Sequence, residues 1–203
     1  MISRLRNSAQ RLFARFAGND GAEIVEFVVS LPLIMVTVVG IFDFGTAFVV
    51  RQKISNAALQ GARVAANQPM TDLSNSAGPC SAPTSICALR DVIDTTITES
   101  KLNDCGLSSA NAASSGTLAW TFTASTNCPG SLSVKVERGY VYSPSAALPT
   151  PFDSGSYGIE GTRVTISYPY KWEFNKVIGL LVPGAAYAST SQISGVGVMQ
   201  NLN

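Results

Sequence analysis

Apolar and polar positions in this chain are first segregated and only later alternate. Residues 1–21 are polar and basic, and Phe27 to Val50 then runs for 24 residues with Asp43 as its one formal charge. As an α-helix this run is about 36 Å long, against a bilayer core of about 30 Å. The polar flank R-Q-K-I-S-N-A-A-L-Q-G-A-R-V-A-A-N-Q continues the helical period, with Ile54, Ala58, Gly61, Ala62 and Ala65 on one face of mostly small residues. Asn67 and Pro69 stop it, so the predicted long helix covers 22–68, spanning a membrane over about 27–50. Pro32 would cost about 3 kcal/mol in a helix in water but is tolerated in a spanning helix, usually as a kink. The run is too long for a cleaved secretory core and no A-x-A-like site follows it within reach.

Beyond the long helix, residues 69–203 read as an extracytoplasmic α+β head. Pro69 to Cys87 is a Ser/Pro/Gly-rich loop, and Leu89, Val92, Ile93 and Ile97 give Ala88–Lys101 a helical spacing. Ser108–Gly116 reads as low-complexity linker. Two-residue alternation then marks strands at Leu118, Trp120, Phe122, Ala124; at Leu132, Val134, Val136; and at Val164, Ile166, Tyr168. Tyr140 and Tyr142 are read as sheet residues. A further strand over Ser189–Met199 loses its alternation near Gly195, which suggests a bulge. The simplest assembly is an antiparallel sheet of about four strands packed on the long helix. Tyr168, Tyr170, Trp172 and Phe174 alternate as one strand face, read as core before partner-docking stripe. Val177–Pro183 is apolar but too short to cross a bilayer, and reads as a loop touching membrane or neighbour, or else as a core hairpin.

Charge sets the topology. The first 21 residues hold Arg4, Arg6, Arg11 and Arg15 against Asp20, and this basic flank places them on the cytoplasmic side. Arg51, Lys53 and Arg63 weaken that bias without reversing it. No basic stripe exists elsewhere, so nucleic acid is not an expected partner. Histidine is absent, which removes Ser-His-Asp and Cys-His catalysis and histidine metal sites. No phosphate-binding glycine loop or nucleophile–base pair is present either, so neither enzyme activity nor a cofactor is expected. Cys80, Cys87, Cys105 and Cys128 all follow the apolar run; an even count there reads as two disulfides with three possible connectivities. Sequential pairing closes the shortest loops. A four-cysteine zinc site is the alternative, although no C-x-x-C pair occurs.

Glu23 and Glu26 stand at the mouth of the apolar run, where a carboxylate costs less than the roughly 2.5–3.5 kcal/mol it costs at a spanning helix's centre, yet still needs compensation. A cut after Gly21 would supply it. The new chain begins at Ala22, Glu26 becomes its fifth residue, and positions one and five share a helix side. The new α-amine can then pair with Glu26 on the same chain or a neighbour, while Glu23 stays nearer the headgroups. The bland alternative makes Glu26 the polar flank of a signal anchor. Asp43 reads equally as a subunit contact or as a boundary residue reaching interfacial water.

A basic leader, a glycine, a glutamate five residues on and an apolar helix together resemble the processing signal of type IV prepilins and pseudopilins. Within that group, G-A-E-I-V-E-F-V-V-S-L-P-L-I-M resembles TadE-like proteins of the tight-adherence (Tad, or Flp-type) pilus system, through Val25-Glu26-Phe27, Leu31-Pro32 and Asp43-Phe44-Gly45. The likeness is specific over about residues 18–66, looser over V-T-I-S-Y-P-Y, and absent around the cysteines. It implies cleavage between Gly21 and Ala22 and N-methylation by a prepilin peptidase. It also implies a single-pass place in a bacterial inner membrane, and assembly with other pilins or pseudopilins and Tad inner-membrane proteins through Glu26, Phe27 and Asp43. Phe27 stands where major Flp pilins often carry tyrosine, and the chain is far longer than those, which favours a pseudopilin; no room exists for the large added domain of TadG-like relatives. An unprocessed, membrane-anchored binding domain is the alternative, and an extracytoplasmic hydrolase a weak third.

Overall fold

A computed structural model describes residues 19–68, 80–142, 159–174 and 190–201. Its elements are α1 (Asn19–Ala66), α2 (Thr84–Glu99), a 3-10 turn (Leu107–Ser109), β1 (Ala112–Gly116), β2 (Ala119–Ala124), β3 (Leu132–Tyr142), β4 (Ile159–Lys171) and β5 (Thr190–Gln200). Two compact units result: Met1–Gly45 with Glu173–Tyr187, and Thr46–Trp172 with Ala188–Asn203. The class is α+β, a long apolar N-terminal helix followed by a head with an antiparallel sheet, as the pattern predicts. Val177–Pro183 lies outside the described residues.

The second unit has five strands rather than about four, in the spatial order β1-β2-β3-β4-β5, all antiparallel. The added strand is β1, which falls in the expected linker. Its A-A-S-S-G sequence has no apolar alternation, and pairing with β2 (Ala112 opposite Phe122) is what orders it. The inward positions Trp120, Phe122, Leu132, Val134, Val136, Val164 and Ile166 form the core with Val50, Ile54, Ala57, Ala58, Ala62 and Ala65 of α1. α2 adds Ile86, Leu89, Ile93 and Ile97. Burying an isoleucine fully, as at Ile54, contributes about 1.5–3 kcal/mol. Tyr168 and Tyr170 are buried, and Trp172 meets Tyr170 edge-on at 5.0 Å while its indole N–H donates to the Ser191 hydroxyl at 2.8 Å.

No bulge occurs at Gly195. β5 pairs with β4 from Thr190 to Gln200 without a break in register. The alternation fails there because α1 lies against the sheet: a Cβ on Gly195 would stand 2.7 Å from the Ser55 nitrogen, and one on Gly197 would run into the Ala58 carbonyl. Only glycine lets the two backbones come that close. The bulge that does exist lies in β3, between Glu137 and Tyr140.

That bulge carries Arg138, which is fully buried. Its Nη2 donates to the carbonyls of Ala65 (2.8 Å) and Gln68 (2.7 Å), and its Nη1 to the Ser85 hydroxyl (3.4 Å). A cation thus meets the C-terminal carbonyls of α1, where unsatisfied acceptors and the negative end of the helix dipole favour it. Lys53 does the same for α2, donating to the Ser100 carbonyl at 2.8 Å. On the outer sheet face, burial alone would raise the Glu137 carboxyl, but Lys135 and Arg163 outweigh it and hold the group below the usual carboxylate range. The cysteines pair as Cys80–Cys87 and Cys105–Cys128, fastening the start of α2 and tying the turn after α2 to the β2–β3 turn.

Candidate functional site

The N-terminal part of α1 has no buried stripe. From Ile24 to Phe42 most of its large apolar side chains are exposed, Phe27 at 61% and Leu33 at 73%, while Val36 and Val39 are half-buried on the side that carries Gly40 and Asp43. A helix on a soluble core hides one face; a helix apolar on every side calls for lipid or other helices as its surroundings. Among the described residues, this is the one helix long and apolar enough to cross a membrane. Its polar groups are handled internally. Ser30 donates to the Glu26 carbonyl at 2.8 Å and Thr37 to the Leu33 carbonyl at 2.9 Å, so neither hydroxyl faces hydrocarbon unbonded. Pro32 is accommodated within the unbroken helix.

The helix begins at Asn19, three residues before the start expected from sequence, so Gly21 and Ala22 already lie on helical backbone. Ala22 and Glu26 are therefore four residues apart on one continuous helix, on successive turns of one side. Glu23 precedes Glu26 by three residues and shares that side; both are exposed. Phe27 follows Glu26 at about 100° around the axis, also exposed.

Asp43 is placed differently. About 26 Å further along the helix than Glu26 by rise per residue, it is only 7% exposed, and its Oδ2 accepts the backbone N–H of Phe174 at 2.9 Å. Gly40, one turn earlier, lies beside the Phe174 ring, which would stand at an ordinary contact distance, 3.7 Å, from a Cβ there. Sequence reading missed Phe174 as the partner, because a main-chain donor leaves no trace in residue type. The structure therefore brings Glu26 and Phe27 together and separates Asp43 from them. The cysteines lie in the second unit. Among the described residues no group of three Cys, Asp or Glu could hold a metal ion.

Residues 21–63 match the family model of TadE-like proteins. Most of α1 is thus similar to TadE-like proteins. The match covers about a fifth of the chain and makes this helix similar to that of a Tad pilus-related membrane protein family. It begins at Gly21 and ends at Arg63, so the family likeness resides in the helix rather than in the sheet. Comparison with curated proteins gives no match, and comparison with solved structures gives none.

Proposed function

We propose that this chain is a membrane-anchored minor pilin or pseudopilin that takes part in assembling a Tad/Flp-type pilus or its secretion machinery. The observation that carries this reading is the coincidence of the TadE-like match with a helix long and apolar enough to cross a membrane, most of whose large apolar side chains are exposed. In this reading the arginine-rich leader stays cytoplasmic, a prepilin peptidase cuts between Gly21 and Ala22, and the disulfide-bearing head lies outside the cytoplasm. The freed α-amine pairs with Glu26 within the chain or on a neighbouring subunit, turning two desolvated charges into one ion pair. Phe27 and the apolar residues after it pack on neighbouring helices. Asp43, engaged with Phe174, serves the chain's own fold instead of a subunit contact.

Intact mass of the protein purified from membranes, combined with two variants, tests this. The native protein is expected to start at an N-methylated Ala22. Glu26→Ala is expected to be processed normally yet to lose crosslinks to neighbouring pilus subunits and adherence, while Glu23→Ala retains both. A full-length native mass, or equal adherence of the two variants, would favour the unprocessed anchored binding domain.

A further inference from the structure

The two edges of the sheet are built differently. β1 has five residues, shifts register between Ser114 and Gly116, and gives its Ala112 N–H to the Cys80 carbonyl at 3.0 Å. Shortness, a bulge and a covering loop are the usual means of blunting an edge. β5 has none of them. It is eleven residues long, unbroken in register, and T-S-Q-I-S-G-V-G-V-M-Q contains neither a charge nor a proline.

Hydrogen-bond phase shows which groups are open. Asn201, next after β5, donates its N–H to the Glu160 carbonyl at 3.1 Å, so the odd-numbered residues of β5 turn their backbone groups toward β4. The N–H and C=O groups of Gln192, Ser194, Val196, Val198 and Gln200 then point off the sheet, and among the described residues none bonds to them. Val196, in the middle, is 51% exposed.

We propose that this edge pairs with the same edge of a second copy of the chain, antiparallel about a twofold axis, joining two five-stranded sheets into one. Three features select a second copy. The strand is uncharged, so self-pairing sets no like charges opposite one another. A register centred on Val196 puts Val196 opposite the partner's Val196, Ser194 opposite the partner's Val198, and Gln192 opposite the partner's Gln200. Every outward N–H and C=O from Gln192 to Gln200 then meets a complementary group, with a β-branched pair at the centre; the Gln192 side-chain amide stays within the chain, donating to the Ser131 carbonyl at 3.2 Å. Head-to-tail pairing with β1 is disfavoured, since that edge is shorter, bulged and has Ala112 N–H already engaged. The pairing is independent of whether the leader is cut.

The test uses the full chain in detergent micelles, with its mass measured by light scattering. Val196→Pro removes a donor that bonds nothing inside the chain, at a place on an edge strand where proline is tolerated. The wild type is expected to be a dimer and Val196→Pro a monomer with an unchanged unfolding midpoint. Val196→Cys adds a free thiol to a chain whose other cysteines are paired. A short bis-maleimide is expected to link it to a second copy, while Lys135→Cys, on the outer face away from the edge, gives no link. If Val196→Pro fails to fold, the cysteine pair decides. A monomeric wild type, a folded Val196→Pro dimer, or a Val196→Cys protein linking only to a different membrane protein overturns the proposal.

Discussion

Leu33 and Ala58 belong to one unbroken helix, yet Leu33 is 73% exposed and Ala58 is fully buried. Around Leu33 stand Val28, Val29, Ile34, Met35 and Phe42, all large; around Ala58 stand Ala57, Gly61, Ala62 and Ala65, all small, with Ile54 the large exception. The usual expectation of large residues inside and small ones outside is reversed. In the first stretch the surroundings are lipid or other helices, and size adds contact on every side. In the second, α1 must sit against β5 so closely that glycine is needed at 195 and 197. Apolar character makes both stretches helical and water-avoiding; side-chain volume tells which of them meets the sheet.

The largest test of that contrast is Gly197→Ala. The added methyl meets the Ala58 backbone, which cannot move aside as a side chain can. Overpacking of this kind costs about 3 kcal/mol or more. Denaturant unfolding followed through Trp120 and Trp172 should show a large loss of midpoint, and an unchanged midpoint would mean that helix and sheet are not in backbone contact. Gly61→Ala should cost far less. Its methyl displaces the Ile93 side chain, at 2.8 Å, and replacing a helical glycine gains about 0.8–1.0 kcal/mol, so the net loss should stay below about 1.5 kcal/mol. Smallest of all is Phe42→Ala, a change of larger volume at a 72% exposed position. Head stability should shift by less than about 0.5 kcal/mol; a loss as large as that of Gly197→Ala would show that the first stretch is packed like the second.

Much of this was legible in sequence because period-two and period-3.6 patterns are strong where apolar residues are large. Leu132, Val134 and Val136 announce β3, and the apolar run announces α1. β1 escaped because alanine and serine carry no such contrast, and its order comes from β2. Gly195 and Gly197 were visible, but two glycines on inward-facing positions signal close backbone approach as well as a bulge, and only the helix's position separates the two. Arg138 left a clue in retrospect. It continues the inward series 132, 134, 136, where a cation requires buried acceptors, and those acceptors are main-chain carbonyls some 70 residues away in sequence. Glu26 and Phe27 were readable as a motif because their helix is continuous; the engagement of Asp43 was not, since its partner is an amide of the backbone.

Arg138 also works as a gauge. Its guanidinium is bonded to the carbonyls of Ala65 and Gln68, and a slip of α1 along its axis by a single residue would carry those acceptors about 1.5 Å out of place. Register on the sheet is thus counted from the C-terminal end of the helix. The opposite end could be trimmed without resetting that count, so the proposed cut after Gly21 would leave it unchanged.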